Sequence, residues 1–165
     1  MRRQISSDEL DYLFNRIGAA IWHLQNVENA LVPLIIIKGI AIELNSIKES
    51  VALKHEAKLS KLTLGMLIGK LKEMDIVEPD FLERLREFNN ERKWVVHNSV
   101  FESGDHLYTS DGRDSFFSRI ERFLEEAIDL HKHISGLVVE YSVNKGMSPQ
   151  QIELHTINEI RKLKG

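Results

Sequence analysis

The chain reads as an all-α protein, a bundle of four to five helices, on three observations. Apolar residues recur at steps of three and four along several long stretches, and strand-like alternation is confined to one short loop. Only three prolines and nine glycines punctuate 165 residues, and they mark breaks between the long patterns. A hydrophobic fraction of 42% supplies a core for one domain, and the absence of cysteine removes any disulfide framework. Residues 1–165 are therefore expected to form a single helical domain, with 148–165 as a C-terminal helical extension.

The first helix is expected to begin at Asp8, capped by Ser6 or Ser7, with acids in its first turn. Its stripe runs Leu10, Leu13, Ile17, Ile21, Leu24, Glu28 and Leu31, and continues past a kink at Pro33 through Ile36, Ile40 and Leu44. Residues 46–62, rich in Ser, Lys and Glu, read as a connection holding at most a short helix. Thr63 is positioned to cap a second long helix, Leu64 to Met74, where Gly65 and Gly69 share a face. Pro79 opens a third helix that runs to about His97. Residues 99–113, with Ser-Gly-Asp and Ser-Asp-Gly, read as a loop or a small hairpin. A fourth helix runs from Asp114 to about Val143 on the stripe Phe116, Ile120, Phe123, Ala127, Leu130 and Ile134. Ser148-Pro149 then starts a last helix through Leu163.

The most informative segment is Glu91-Arg92-Lys93-Trp94-Val95-Val96-His97-Asn98. Arg92 falls on the stripe of Phe81 (or Leu82), Leu85, Phe88 and Val95, which should face the core. A charge there is costly unless paired. An imidazole one turn further on adds a group that moves protons near neutral pH. Five residues along a regular helix leave two side chains about 140° apart, so Arg92 and His97 sit together only if the helix departs from α geometry near Val96. The plainer alternative is a buried structural Arg and an unrelated surface His. Glu28 carries the opposite charge on the core stripe of the first helix, and pairing with Arg92 is expected because either charge buried alone would cost about 3–5 kcal/mol. Such a pair serves equally to lock the bundle or to orient Arg92.

Other chemistries find little support. His131 and His133 point to different helix faces, and His23, His55, His106 and His155 lack a partner at zinc spacing, so neither a metal nor a cofactor is expected. There is no phosphate-binding Gly loop and no nucleophile elbow. Trp22 and Trp94 read as core or interface residues. A net charge of −3 argues against a broad nucleic-acid-coating face, though not against a local phosphate site. The most apolar run, Ala30 to Leu44, is shorter than the roughly 20 residues of a membrane span, and the N-terminus lacks a signal-peptide core. No membrane association is expected, and a cytoplasmic location suits the cysteine-free composition.

Thr63-Leu64-Gly65-Met66-Leu67-Ile68, followed some two dozen residues on by Arg92-Lys93-Trp94-Val95-Val96-His97, resembles the HEPN superfamily (higher eukaryotes and prokaryotes nucleotide-binding) across roughly residues 8–142. The resemblance implies a HEPN-like bundle and a metal-independent endoribonuclease of toxin or antiviral-defence type. In it the RNA 2′-OH attacks the adjacent phosphate. By the same resemblance Arg92 and His97 are the catalytic residues, His97 as general acid and base and Arg92 on the scissile phosphate. Glu28, Lys93 and Asn98 are supporting residues. It further implies a homodimer with both motifs facing one cleft, an RNA substrate, and restraint by a nucleotidyltransferase-like antitoxin. Lys93 stands where active members usually carry Asn, Asp or His, and lysine cannot accept a hydrogen bond. The alternative is a non-catalytic HEPN-like dimeric module that binds a nucleotide or a protein partner.

Overall fold

A computed structural model describes residues 3–41, 47–148 and 150–153, and among them every regular element is helical. Helix α1 (Ser7–Ile35) starts where the cap signal lies. The Ser6 N–H donates to Glu9 Oε2 at 2.8 Å, and the Glu9 N–H returns a bond to Ser6 Oγ at 3.3 Å. Pro33 withholds an N–H from the ladder, and the helix widens into a π turn, Ile36–Ile40, closed by the Ala41 N–H on the Ile36 carbonyl. The expected continuation to Leu44 lies outside the described residues.

Helix α2 (Glu49–Leu59) occupies the connection and buries only Leu59, in keeping with its weak periodicity. Helices α3 (Leu64–Met74) and α4 (Pro79–Lys93) run over the expected spans, with Pro79 in the first turn of α4. The chain then makes a second π turn, Trp94–Asn98, a short helix α5 (Ser99–Ser103) and a 3-10 segment, Gly104–Tyr108. The expected loop or hairpin at 99–113 is thus wrong. Gly104 sits at φ −56° in ordinary right-handed geometry, so its turn signal is spent on a tight helical segment. Helix α6 (Ser110–Asn144) begins four residues before the expected Asp114, because Thr109 Oγ1 caps the Gly112 N–H at 3.2 Å. A reciprocal cap at Ser148 and Gln151 (2.8 and 3.2 Å) opens the helical residues 150–153. The expected run to Leu163 lies outside the described residues.

Side-chain pairs fix the topology. Glu9 meets Arg113, Arg16 meets Glu121, and Lys38 lies over Tyr141, so α1 and α6 run parallel. Glu91 meets Arg119, Phe88 stacks on Phe123, and Phe81 packs on His133, so α4 runs antiparallel to α6. Helix α3 follows α1, with Leu64 beside Glu28 and Met74 beside Gly39. Leu31, Leu34, Leu67, Leu85, Leu130 and Ile134 are among the residues filling the space between these four helices. From Ser7 to Ile40 the first helix is long and apolar enough to cross a membrane, a test that the central helix of a bundle also passes.

One end of the bundle is tied by charge. Arg113 is buried and spends its donors on the Leu107 carbonyl (3.0 Å), Ser110 Oγ (3.3 Å) and Glu9 (3.3 Å). Glu9 also takes a two-pronged bond from Arg3, at 2.6 and 2.9 Å. The Arg3 guanidinium, and then the Ser6 N–H, hold the Glu9 carboxyl down at about 2. An unfolded glutamate titrates near 4.3. The stabilisation is complete above about pH 4.3 and disappears as the pH falls toward 2. Glu9→Gln is therefore expected to lose stability near neutrality and to show a flatter decline across that acid window, read by urea midpoints at a series of pH values.

Two classes of glycine predict opposite effects. A Cβ at Gly112 would lie 2.3 Å from the His106 carbonyl oxygen, a backbone atom, whereas Gly18 and Gly136 lie within helices with nothing inside 4 Å. Gly112→Ala should cost about 1–3 kcal/mol. Gly18→Ala and Gly136→Ala should each gain about 0.5–1 kcal/mol, measured by urea denaturation.

Candidate functional site

The end of α4 is held by a clamp of three side chains. Arg119 donates to both Glu91 oxygens at 2.8 and 2.9 Å, and its guanidinium lies 3.7 Å from the centre of the Trp94 ring. Trp94 is buried and also tilts against Phe116 at 5.4 Å. The Arg119 guanidinium holds the Glu91 carboxyl below its ordinary range, and the carboxylate raises Arg119 in return. Trp94 is thus the fixed point at which the regular helix ends.

Beyond it the ladder changes register. The Ser99 N–H donates five residues back to the Trp94 carbonyl, and Ser99 Oγ donates to the Val95 carbonyl at 3.1 Å. The π turn spans Trp94–Asn98, so it falls between Arg92 and His97. Bonding five residues back implies about 4.4 residues per turn, which reduces the angle between Arg92 and His97 from about 140° to roughly 90°. The departure from α geometry that the spacing requires is therefore present. Arg92 is partly buried, whereas Lys93, His97 and Asn98 are exposed. His97 forms no hydrogen bond or ion pair with another described residue.

The expected Glu28–Arg92 ion pair is not formed. Glu28 Oε1 accepts the Leu64 N–H at 2.9 Å instead, at the start of α3. Thr63 occupies the cap position but its side chain makes no capping bond, so the carboxylate of a neighbouring helix satisfies this N–H and faces the positive end of the α3 dipole. The expectation failed because a buried helix start competes for the carboxylate, and a stripe on a helical wheel does not show which helix begins opposite it. Gly65 allows α4 to approach α3, since a Cβ there would come within 3.3 Å of Asn89 Nδ2; Gly69 has nothing within 4 Å and plays no such part. Trp22, expected in a core or interface, is 66% exposed and lies outside the core.

Asn89 Oδ1, Arg92 Nε and Trp94 Nε1 are each buried without a protein hydrogen-bond partner, and His23 Nδ1 is the other such atom among the described residues. Three of these four lie within six residues of chain, immediately before His97. Buried unpaired polar groups cost about 1–3 kcal/mol each and collect where structure has been set aside for chemistry or binding. Asn89, and the clamp by Arg119, were missed at the sequence level. A signal for Asn89 exists, because it stands three residues before Arg92 on the same helix face. Arg119 carries none, since it lies on another helix. No group of three or more His, Asp or Glu among the described residues is placed to hold a metal ion.

No protein-family model, curated protein or solved structure matches the chain.

The role found for Glu28 gives a graded expectation. Glu28→Ala leaves the Leu64 N–H unpaired and should cost about 1–2 kcal/mol in urea denaturation. Glu28→Gln keeps an acceptor and loses only the charge against the helix dipole, a loss of about 0.3–1 kcal/mol.

Proposed function

We propose that this protein is a HEPN-like, metal-independent endoribonuclease of toxin or antiviral-defence type. The observation that carries the reading is the π turn between Arg92 and His97, which swings the imidazole toward the arginine face at a helix end rich in unpaired polar atoms. π turns of this kind recur at functional sites. In the proposed reaction His97 takes the proton from a ribose 2′-OH as its oxygen attacks the adjacent phosphorus. The P–O5′ bond breaks, the leaving oxygen takes a proton, and a 2′,3′-cyclic phosphate and a 5′-OH result. Arg92 balances the charge that grows on the phosphate oxygens. Lys93, exposed beside it, holds the neighbouring backbone charge, and Asn98 offers an exposed amide on the far side of His97. Glu28 acts at one remove, by fixing the start of α3 against which Asn89 and α4 pack.

One imidazole per chain must serve as both base and acid. A two-fold homodimer with two His97 side chains in one cleft meets that demand, and belongs to the proposal. So do the RNA substrate, a nucleotidyltransferase-like antitoxin as restraining partner, a cytoplasmic setting and no membrane association.

A second reading, a non-catalytic dimeric module for a nucleotide or protein partner, is favoured by two facts. No described residue hydrogen-bonds the His97 ring to set its tautomer, and Lys93 follows the motif arginine.

Purified protein is expected to cleave end-labelled RNA in EDTA and leave the cyclic phosphate. His97→Ala should slow cleavage by about 10²–10⁴-fold, and Arg92→Ala by about 10²–10³-fold. A folded wild-type protein that leaves RNA intact, yet retains it on a filter in an Arg92-dependent way, would favour the binding module. Equal cleavage by wild type and His97→Ala would remove the nuclease reading.

A further inference from the structure

A furrow lies on the other side of α4, along its seam with α6, and neither reading above uses it. It consists of two cavities. One of about 550 Å³ lies between the middle of α4 and the N-terminal half of α6, over the stacked Phe88 and Phe123. The other, of about 480 Å³, lies between the start of α4 and the end of α6, with Val77, Phe81 and Leu137 in its wall. Asp80, Phe81, Arg84, Glu87, Phe88 and Glu91 line the pair from α4 at steps of three and four, so both cavities occupy one helix face. The α6 lining residues step in the same way from Arg119 to Asn144.

The charge of this furrow is unbalanced. Its walls carry eight carboxylates (five in the first cavity, three in the second) against four Lys and Arg side chains (three and one). The whole chain carries 25 against 22, so the furrow's excess of four exceeds the net charge of the entire chain. Two of the cations, Arg84 and Arg119, are already paired across the seam with Glu126 and Glu91. Glu78, Asp80, Glu87, Glu125, Asp129 and Glu140 form no ion pair among the described residues. Arg84 also acts on Asp129 at longer range; the lining cations outside the two pairs are Arg122 and Lys38, and Lys38 lies 5.8 Å from the centre of the Tyr141 ring. A polyanion such as RNA is repelled by this face. Lys93, two residues after Glu91, lies about 200° around α4 and points away from it.

We propose that the furrow is a docking surface for a basic amphipathic helix of a partner protein. The apolar stripe of that helix would enter between Phe81, Val77 and Leu137, and its Lys or Arg side chains would meet the six unpaired carboxylates. Along α4, from Asp80 to Glu91, the furrow offers roughly 17 Å, about three helical turns. This surface is independent of the nuclease reading and stands whether or not His97 is catalytic.

The test uses the full chain and a fluorescent amphipathic helix of about 14 Leu and Lys residues, followed by anisotropy. Two variants remove three charges each. Glu87→Gln, Glu125→Gln and Asp129→Asn alter the furrow, and Asp11→Asn, Glu49→Gln and Glu56→Gln alter exposed carboxylates on α1 and α2. Circular dichroism confirms that both are folded. The furrow variant is expected to bind about tenfold more weakly or worse, the control within about threefold of wild type, and a scrambled peptide without the apolar stripe more weakly than the patterned one. Equal weakening in both variants would mean attraction by net charge alone and would overturn the proposal. So would absence of binding to wild type. Displacement of the peptide by spermine at matched charge would assign the furrow to small polyamines and would overturn it too.

Discussion

Arg119 fixes the geometry on which the rest of the site depends. One guanidinium grips both oxygens of Glu91 and covers the face of Trp94, so it sets the rotation of α4 on α6 and the residue at which α4 ends. As an ion pair it contributes little, since its partners are 35% and 44% exposed and such pairs are worth about 1 kcal/mol or less. Its importance is positional. With α4 rotated in this way, Asn89 turns to Gly65 at the start of α3 and Phe88 stacks on Phe123. The π turn begins at the clamped tryptophan, and the reorientation of His97 follows from it.

Much of the fold was legible because periodicity is a local signal. The helix over Leu64–Met74, the Pro79 start and the Ser6 cap depend on residues within one or two turns of each other. The errors arise where a local signal is read differently in context. Ser-Gly-Asp at 103–105 makes a tight helical segment here, because α4 does not stop but continues through its π turn into α5. Of the site, the sequence showed that Arg92 and His97 could meet only through irregular geometry, and placed Glu28 in the interior. It did not show that Glu28 faces the start of α3, because that depends on how far α3 begins along α1. The π turn itself follows no glycine or proline; it depends on Trp94, which is held from α6.

The acidic side chains of α4 gather on the face it turns to the furrow. Toward α6 its side chains are mainly acidic and close over aromatic rings, and the motif side ends in Arg92, Lys93 and His97. The excess of acid gathers along the seam of α4 and α6, and Arg92, Lys93 and His97 lie outside its lining. Net charge describes solubility and long-range steering, and local placement decides what each face can hold.

The parallel pairing of α1 with α6 has a consequence during synthesis. The longest apolar helix leaves the ribosome first, and its main partner is complete only at Asn144, about a hundred residues later. At usual elongation rates that interval lasts about 5–20 s. Throughout it, a segment apolar enough to resemble a membrane span is without the surface that will cover it. The native contacts of α1 are among the most distant in the sequence, so the closure of the bundle is a late and slow event for a helical protein. Until α6 is made, the apolar face of α1 is without its main native cover.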